Sequence, residues 1–173
     1  NDTATAEIYS FSLHDALPKK AVLGAALLGV SAMVTAGGNP DYVAYPAGYQ
    51  QDMVNYAEIN RKNGKQVAKM YADKATIAAY RAGKQAPEGS TVIMEVYKTK
   101  QDKNGKPVVG ANGIFETTKL AAVAVMNLQS NSSLPADVRS GDWAFAFYGP
   151  DGKPKKNKLD CAACHNPLTQ RQD

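Results

Sequence analysis

The chain has 173 residues, the length of one domain. A charged fraction of 21% and an apolar fraction of 44% are those of a globular protein and exclude wholesale disorder. A formal net charge of +4, scattered along the chain, is too weak to signal a nucleic-acid partner.

Residues 1–18, "NDTATAEIYSFSLHDALP", precede an export signal and begin without methionine. They resemble translated sequencing adapter and are read as non-biological. Residues 19–36 have the three parts of a secretory signal. Lys19 and Lys20 form the basic region, an apolar run starts at Ala21, and Val34-Thr35-Ala36 is a small-residue cleavage site. The apolar run falls short of the ~20 residues of a membrane span, so a cleaved signal is favoured over an anchor. No cysteine follows it, which argues against a lipoprotein. The expected domain is 37–173, in the periplasm.

Past Pro40 the pattern is mostly strand and turn. "MVNYAEINRKNGKQVAKMYA" places Asn63-Gly64 between two β-like runs, a hairpin signal. "DKATIAAYRAGK" predicts a short helix capped by Asp73 and ended at Gly83. "STVIMEVYKTK" alternates as a strand, and Asn104-Gly105 turns the chain. "GIFETTKLAAVAVMNL" predicts one long strand or two. "GDWAFAFYG" predicts another, with Trp143, Phe145 and Phe147 on one face. The basic turn "PDGKPKKNK" leads to a helix beginning near Asp160. The sum is an α+β domain, an antiparallel β-sheet with short helices.

"LDCAACHNP" holds both cysteines of the chain. C-x-x-C-H is the attachment signature of c-type haem. Cys161 and Cys164 are spaced for thioether bonds to the two vinyl groups, and His165 is carried to the iron as proximal ligand. C-x-x-C also occurs in thioredoxin-like sites and in zinc sites. Zinc needs two further ligands, and the second histidine of the chain is His14, within the adapter-like stretch. A thioredoxin motif sits in a βαβ unit, and no such unit is visible. Haem c, with its iron, is therefore the expected cofactor, covalently attached. No methionine follows His165; Met53, Met70, Met94 and Met126 precede it, and each also reads as core packing. An iron with an open or weakly held sixth position is expected, and such an iron binds small molecules.

A C-terminal C-x-x-C-H on a β-rich domain resembles the cytochrome P-460 family, which includes hydroxylamine-oxidising cytochromes and the related cytochromes c′-beta. "YPAGY" (45–49), "MYADKATIAAYRAGKQAPEGSTVIMEV" (70–96), "GDWAFAFYGPDG" (141–152) and "CAACHNP" (161–167) carry the resemblance. It implies an antiparallel sheet, a homodimer, a haem held against the sheet by the C-terminal helix, and hydroxylamine or nitric oxide as small-molecule partners. In the hydroxylamine-oxidising members a lysine bonds to the porphyrin edge. Counting from Glu88-Gly89, Met94 stands in that place, and Lys98 lies one pleat repeat too far along the strand. The resemblance thus makes Met94 a haem-edge residue and inclines the chain toward the gas-binding c′-beta branch or an uncharacterised branch. An electron-transfer cytochrome c with a methionine sixth ligand is the other alternative. The resemblance also implies a segment beyond the haem motif, so the C-terminus is read as truncated.

Trp143, Phe145, Phe147 and Phe115 are candidates to line a distal pocket, and each also reads as core. Glu95, Glu116 and Asp142 are the carboxylates in strand-like segments that a general base would draw on. Each also reads as a solvated residue, and by alternation Glu95 faces away from Met94, so no catalytic residue is assigned. Lys153, Lys155, Lys156 and Lys158 form either a solvated turn or a docking patch for an acidic redox partner.

Overall fold

The computed structural model describes residues 38–130, 133–135, 138–156 and 159–169. Residues 1–36, with His14 and the export signal, lie outside the described residues, as does Lys158.

The centre of the fold is a six-stranded antiparallel sheet. Its strands are β1 (Val54–Asn60), β2 (Gln66–Ala72), β3 (Thr91–Thr99), β4 (Thr117–Leu128), β5 (Arg139–Ser140) and β6 (Trp143–Tyr148), in the order β1-β2-β3-β4-β6-β5. Three helices accompany them: α1 (Tyr49–Asp52), α2 (Lys74–Arg81) and α3 (Cys161–Thr169). The α+β class expected from the sequence is the class observed. The Asn63-Gly64 hairpin joins β1 to β2, with Gly64 in the left-handed region at φ +64°. The segment expected to give one long strand or two gives one, β4, of twelve residues. Phe115 falls outside it, in an isolated bridge with Val109.

Directly opposed residues of paired strands share a face. The register therefore sorts the sheet. On one face lie Phe147, Ala124, Met94 and Met70 in one row, and Phe145, Met126, Val92 and Ala72 in the next. On the other lie Tyr148, Val123 and Glu95, beside Ala146, Val125, Ile93 and Tyr71.

The second face is covered by the segment that precedes β1. Val43 and Tyr49 join Ile93, Val123, Val125, Ala144, Ala146 and Tyr148 in one buried cluster, with Tyr45 and Met53 packed against it. Two tethers hold the segment. The Tyr148 hydroxyl donates to the Val43 carbonyl, and the Asn39 N–H donates to the Phe145 carbonyl at 2.8 Å. Gly38 has φ +84°, and a Cβ there would sit 2.1 Å from the Phe145 carbonyl oxygen, so only glycine fits this approach.

Asp73 caps α2 as the sequence predicts. Its Oδ1 accepts from the Thr76 N–H at 2.8 Å and its Oδ2 from the Thr76 hydroxyl at 2.6 Å. The Thr76 oxygen in turn accepts from the Ser90 hydroxyl at 2.7 Å, tying the helix to the start of β3. Burial pushes the Asp73 carboxyl up, but the hydrogen bonds from Thr76 outweigh it and hold it below its ordinary value. Charged Asp73 therefore favours the folded state. Its contribution is complete above the unfolded carboxyl range and is lost as pH falls through the lowered folded value. Asp73→Ala is expected to cost about 1 kcal/mol at neutral pH. In urea titrations the gap between the two proteins should shrink below the carboxyl range.

Candidate functional site

The three residues of the C-x-x-C-H motif are gathered on α3. Asp160 starts this helix, as expected, by accepting from the Ala163 N–H at 2.8 Å, and its carbonyl accepts from the Cys164 N–H. Cys161, Cys164 and His165 are spaced i, i+3 and i+4, so they share one helix face. Both thiols are free. The helix packs beside β5 and β6, with Ala162 buried. The His165 ring lies 5.0 Å from the Phe145 ring, tilted by 46°. Phe145 belongs to the face that carries Met126, Phe147 and Met94, so α3 meets the sheet on the side opposite the buried cluster.

Burial shapes the chemistry of the motif. It lowers the His165 pKa, which leaves the imidazole neutral at pH 7, the form that ligates a metal. Burial, and after it the charge of Asp160, pushes the Cys161 thiol up to about 11. Cys164 is exposed. Among the described residues no three His, Cys, Asp or Glu side chains converge, so they offer no tetrahedral set for zinc.

Residues 46–173 match the family Cytochrome P460. The chain belongs to the cytochrome P460 family. No curated protein matches it. Membership makes haem the cofactor of this cytochrome, and the residues present suit it. The helix that carries two free thiols and a neutral imidazole packs at the β5–β6 end of a sheet face on which half-buried Trp143, Phe147, Met126, Met94 and Met70 follow strand by strand. Apolar, polarisable side chains of this kind pack well on a porphyrin.

In this P460 domain the other candidate residues separate. Met94 lies on the α3 side of the sheet, two strands from Phe147, and its sulfur accepts from Arg61 Nη1 at 3.8 Å. Met53 packs on the opposite face. Lys98 shares the Met94 face by alternation but is exposed and lines a hollow with Lys65 and Thr118. Phe115, expected to line a pocket from a strand, instead sits in the β3–β4 connection, where its N–H donates to Asn60 Oδ1. Glu116 and Asp142 also lie outside the strands. Both are exposed, and Glu116 pairs with Lys100 at 2.7 Å. Lys153, Lys155 and Lys156 are exposed. Lys153 faces Asp151, and Lys155 donates to the Ala121 carbonyl at 2.7 Å.

Glu95 is the surprise. It is fully buried, on the face away from α3. Its Oε1 accepts from the Tyr49 hydroxyl at 2.7 Å and from the Gln50 amide. The expected solvated face is not there. Sequence reasoning missed Tyr49 and Gln50 as its partners; the readable signal was one carboxylate in the apolar run "VIMEV".

The two thiols should differ sharply in haem-free protein. At pH 8 iodoacetamide is expected to label Cys164 faster than Cys161, by on the order of tenfold or more, because Cys161 is both shielded and held protonated. Peptide mass mapping over time reads the difference.

Proposed function

We propose that the chain is an exported, single-haem c-type cytochrome that binds, and carries out redox chemistry on, small nitrogen species such as hydroxylamine and nitric oxide. One observation carries the reading: Cys161, Cys164 and His165 share a face of α3, and that helix is set against the Phe145 side of the sheet. Cys161 and Cys164 would hold the haem by thioether bonds, and His165 would ligate its iron. The haem would supply an iron that cycles between two oxidation states and takes up small ligands. Trp143, Phe145, Phe147 and Met126 would keep water from that centre. The export pattern of residues 19–36 supports a periplasmic setting, where c-type haem is attached. The exposed lysines 153, 155 and 156 suit encounter with an acidic redox partner, where charge mainly speeds association. A homodimer follows from the family resemblance.

Met94 favours the gas-binding reading within this proposal. A thioether has no nucleophilic amine, so the porphyrin edge would stay unmodified, and Lys98 begins about 13 Å farther along the strand. The protein is then a binder of nitric oxide or carbon monoxide more than an oxidant of hydroxylamine.

Three measurements test this. Cys161→Ala with Cys164→Ala should abolish haem that survives denaturing electrophoresis, and persistence of the haem stain would refute the attachment. Intact-mass analysis of the unaltered protein should show two bonds to the porphyrin, both from cysteine. A ferrous spectrum of ordinary c type that changes on adding nitric oxide should accompany it. A third bond, to any lysine, would restore hydroxylamine oxidation as the leading function.

A further inference from the structure

The proposed haem chemistry leaves Glu95 unused, although it is a fully buried carboxyl in the middle of the sheet. It is 0% exposed, and its Oε2 has no hydrogen-bond partner. Among the described residues the ion pairs are Lys69–Glu58, Lys100–Glu116 and Lys153–Asp151, so no cation pairs with it. A buried carboxylate without a cation is expensive, and an apolar residue would fill the site at less cost. Its neighbours are phenols, the Gln50 amide and, opposite it on β2, Lys69, whose ammonium pairs with Glu58 instead. Tyr49 donates to Oε1 at 2.7 Å, and burial first, with Glu95 among the lesser causes, weakens the acidity of Tyr71 and Tyr97. The tyrosines also touch one another edge to face. Ring centroids are 5.6 Å apart for Tyr71 and Tyr49, 6.1 Å for Tyr49 and Tyr45, and 5.2 Å for Tyr45 and Tyr148. Phenylalanine would pack as well; the hydroxyl aimed at a carboxylate is what packing does not require.

We propose that Tyr49 is a redox-active tyrosine whose phenolic proton passes to Glu95. In the step, one electron leaves the Tyr49 ring for the oxidant and its O–H bond breaks. Glu95 Oε1 takes the proton and becomes a carboxylic acid. Return of one electron from a soluble reductant sends the proton back from Glu95 to Tyr49. Burial, and after it the hydrogen bond to Glu95, pushes the Tyr49 phenol far above its ordinary value. Resting Tyr49 therefore keeps its proton, and electron loss must carry the proton with it. By class, the oxidant is hydrogen peroxide at the haem, a link that rests on the haem reading above: each peroxide takes two electrons, drawn one at a time through Tyr49 and replaced by the soluble reductant, and two protons from solvent, and leaves two waters. Met94 and Glu95 are consecutive, so one strand's thickness separates the two faces.

The full exported protein is oxidised in two ways, by flash-generated ruthenium(III) tris-bipyridine and by hydrogen peroxide, and frozen for electron paramagnetic resonance. Both are expected to give a tyrosyl radical. Tyr49→Phe removes it, and Glu95→Gln, which keeps the shape but not the basic oxygen, suppresses it. In the unaltered protein the radical forms more slowly in D2O, a readout that stands even where a variant fails to fold. An undiminished radical in folded Tyr49→Phe, or equal rates in H2O and D2O, would overturn the proposal. A radical with ruthenium but none with peroxide would keep the Tyr49–Glu95 pair and overturn its link to haem. Protein that carries no haem would fail the preceding reading while leaving the ruthenium result decisive.

Discussion

Because successive residues of a strand point to opposite faces, Met94 and Glu95 cannot serve the same site. That alternation in β3, carried across β4 and β6 by the register, divides the molecule into two chemistries. One face offers aromatic and methionine side chains to α3. The other takes the Gly38–Met53 segment and buries a carboxylate among phenols. A one-residue slip in register would exchange the two sets and destroy both arrangements. The apolar residues beside Glu95 pin the register: Ile93, Val123 and Val125 are almost wholly buried, and none could face solvent without a loss of about 1.5–3 kcal/mol each.

The Met94 face would suit a flat guest such as the proposed haem. Alanines at 68, 72, 122 and 124 alternate with the larger side chains across its strands, so the surface is shallow. The helix that carries the C-x-x-C-H motif adds His165 against Phe145 at its β6 end. Placement on a helix, rather than on a loop, fixes two thiols and an imidazole in one orientation. The desolvation that leaves His165 neutral comes from the same packing, so fold and ligand chemistry have one cause.

Much of this was legible in the sequence because it is local. The Asn63-Gly64 hairpin, the Asp73 cap and the Asp160 start of α3 each depend on residues within a few positions, and each stands as read. The C-x-x-C-H motif is equally local. Membership of the family was legible in the order of four segments, and the match over residues 46–173 bears it out. What was not legible depends on long-range partners. Glu95 meets Tyr49 and Gln50 across some 45 residues, through a helix of only four residues that carries no periodicity signal. β5 has two residues and exists because β6 is beside it. Phe115 looked like strand because its neighbours are apolar and β-branched, yet the β3–β4 connection holds it through Asn60.

The central claim is that the haem lies between α3 and the Phe145 face, with the tyrosine cluster on the far side. Proton nuclear Overhauser spectroscopy of the ferrous carbon monoxide form tests it most directly. The account predicts cross-peaks from porphyrin protons to side chains of the Phe145, Phe147, Met126 and Met94 rows. Cross-peaks to Val123, Val125 or Tyr148 instead would place the haem on the opposite face and contradict the account.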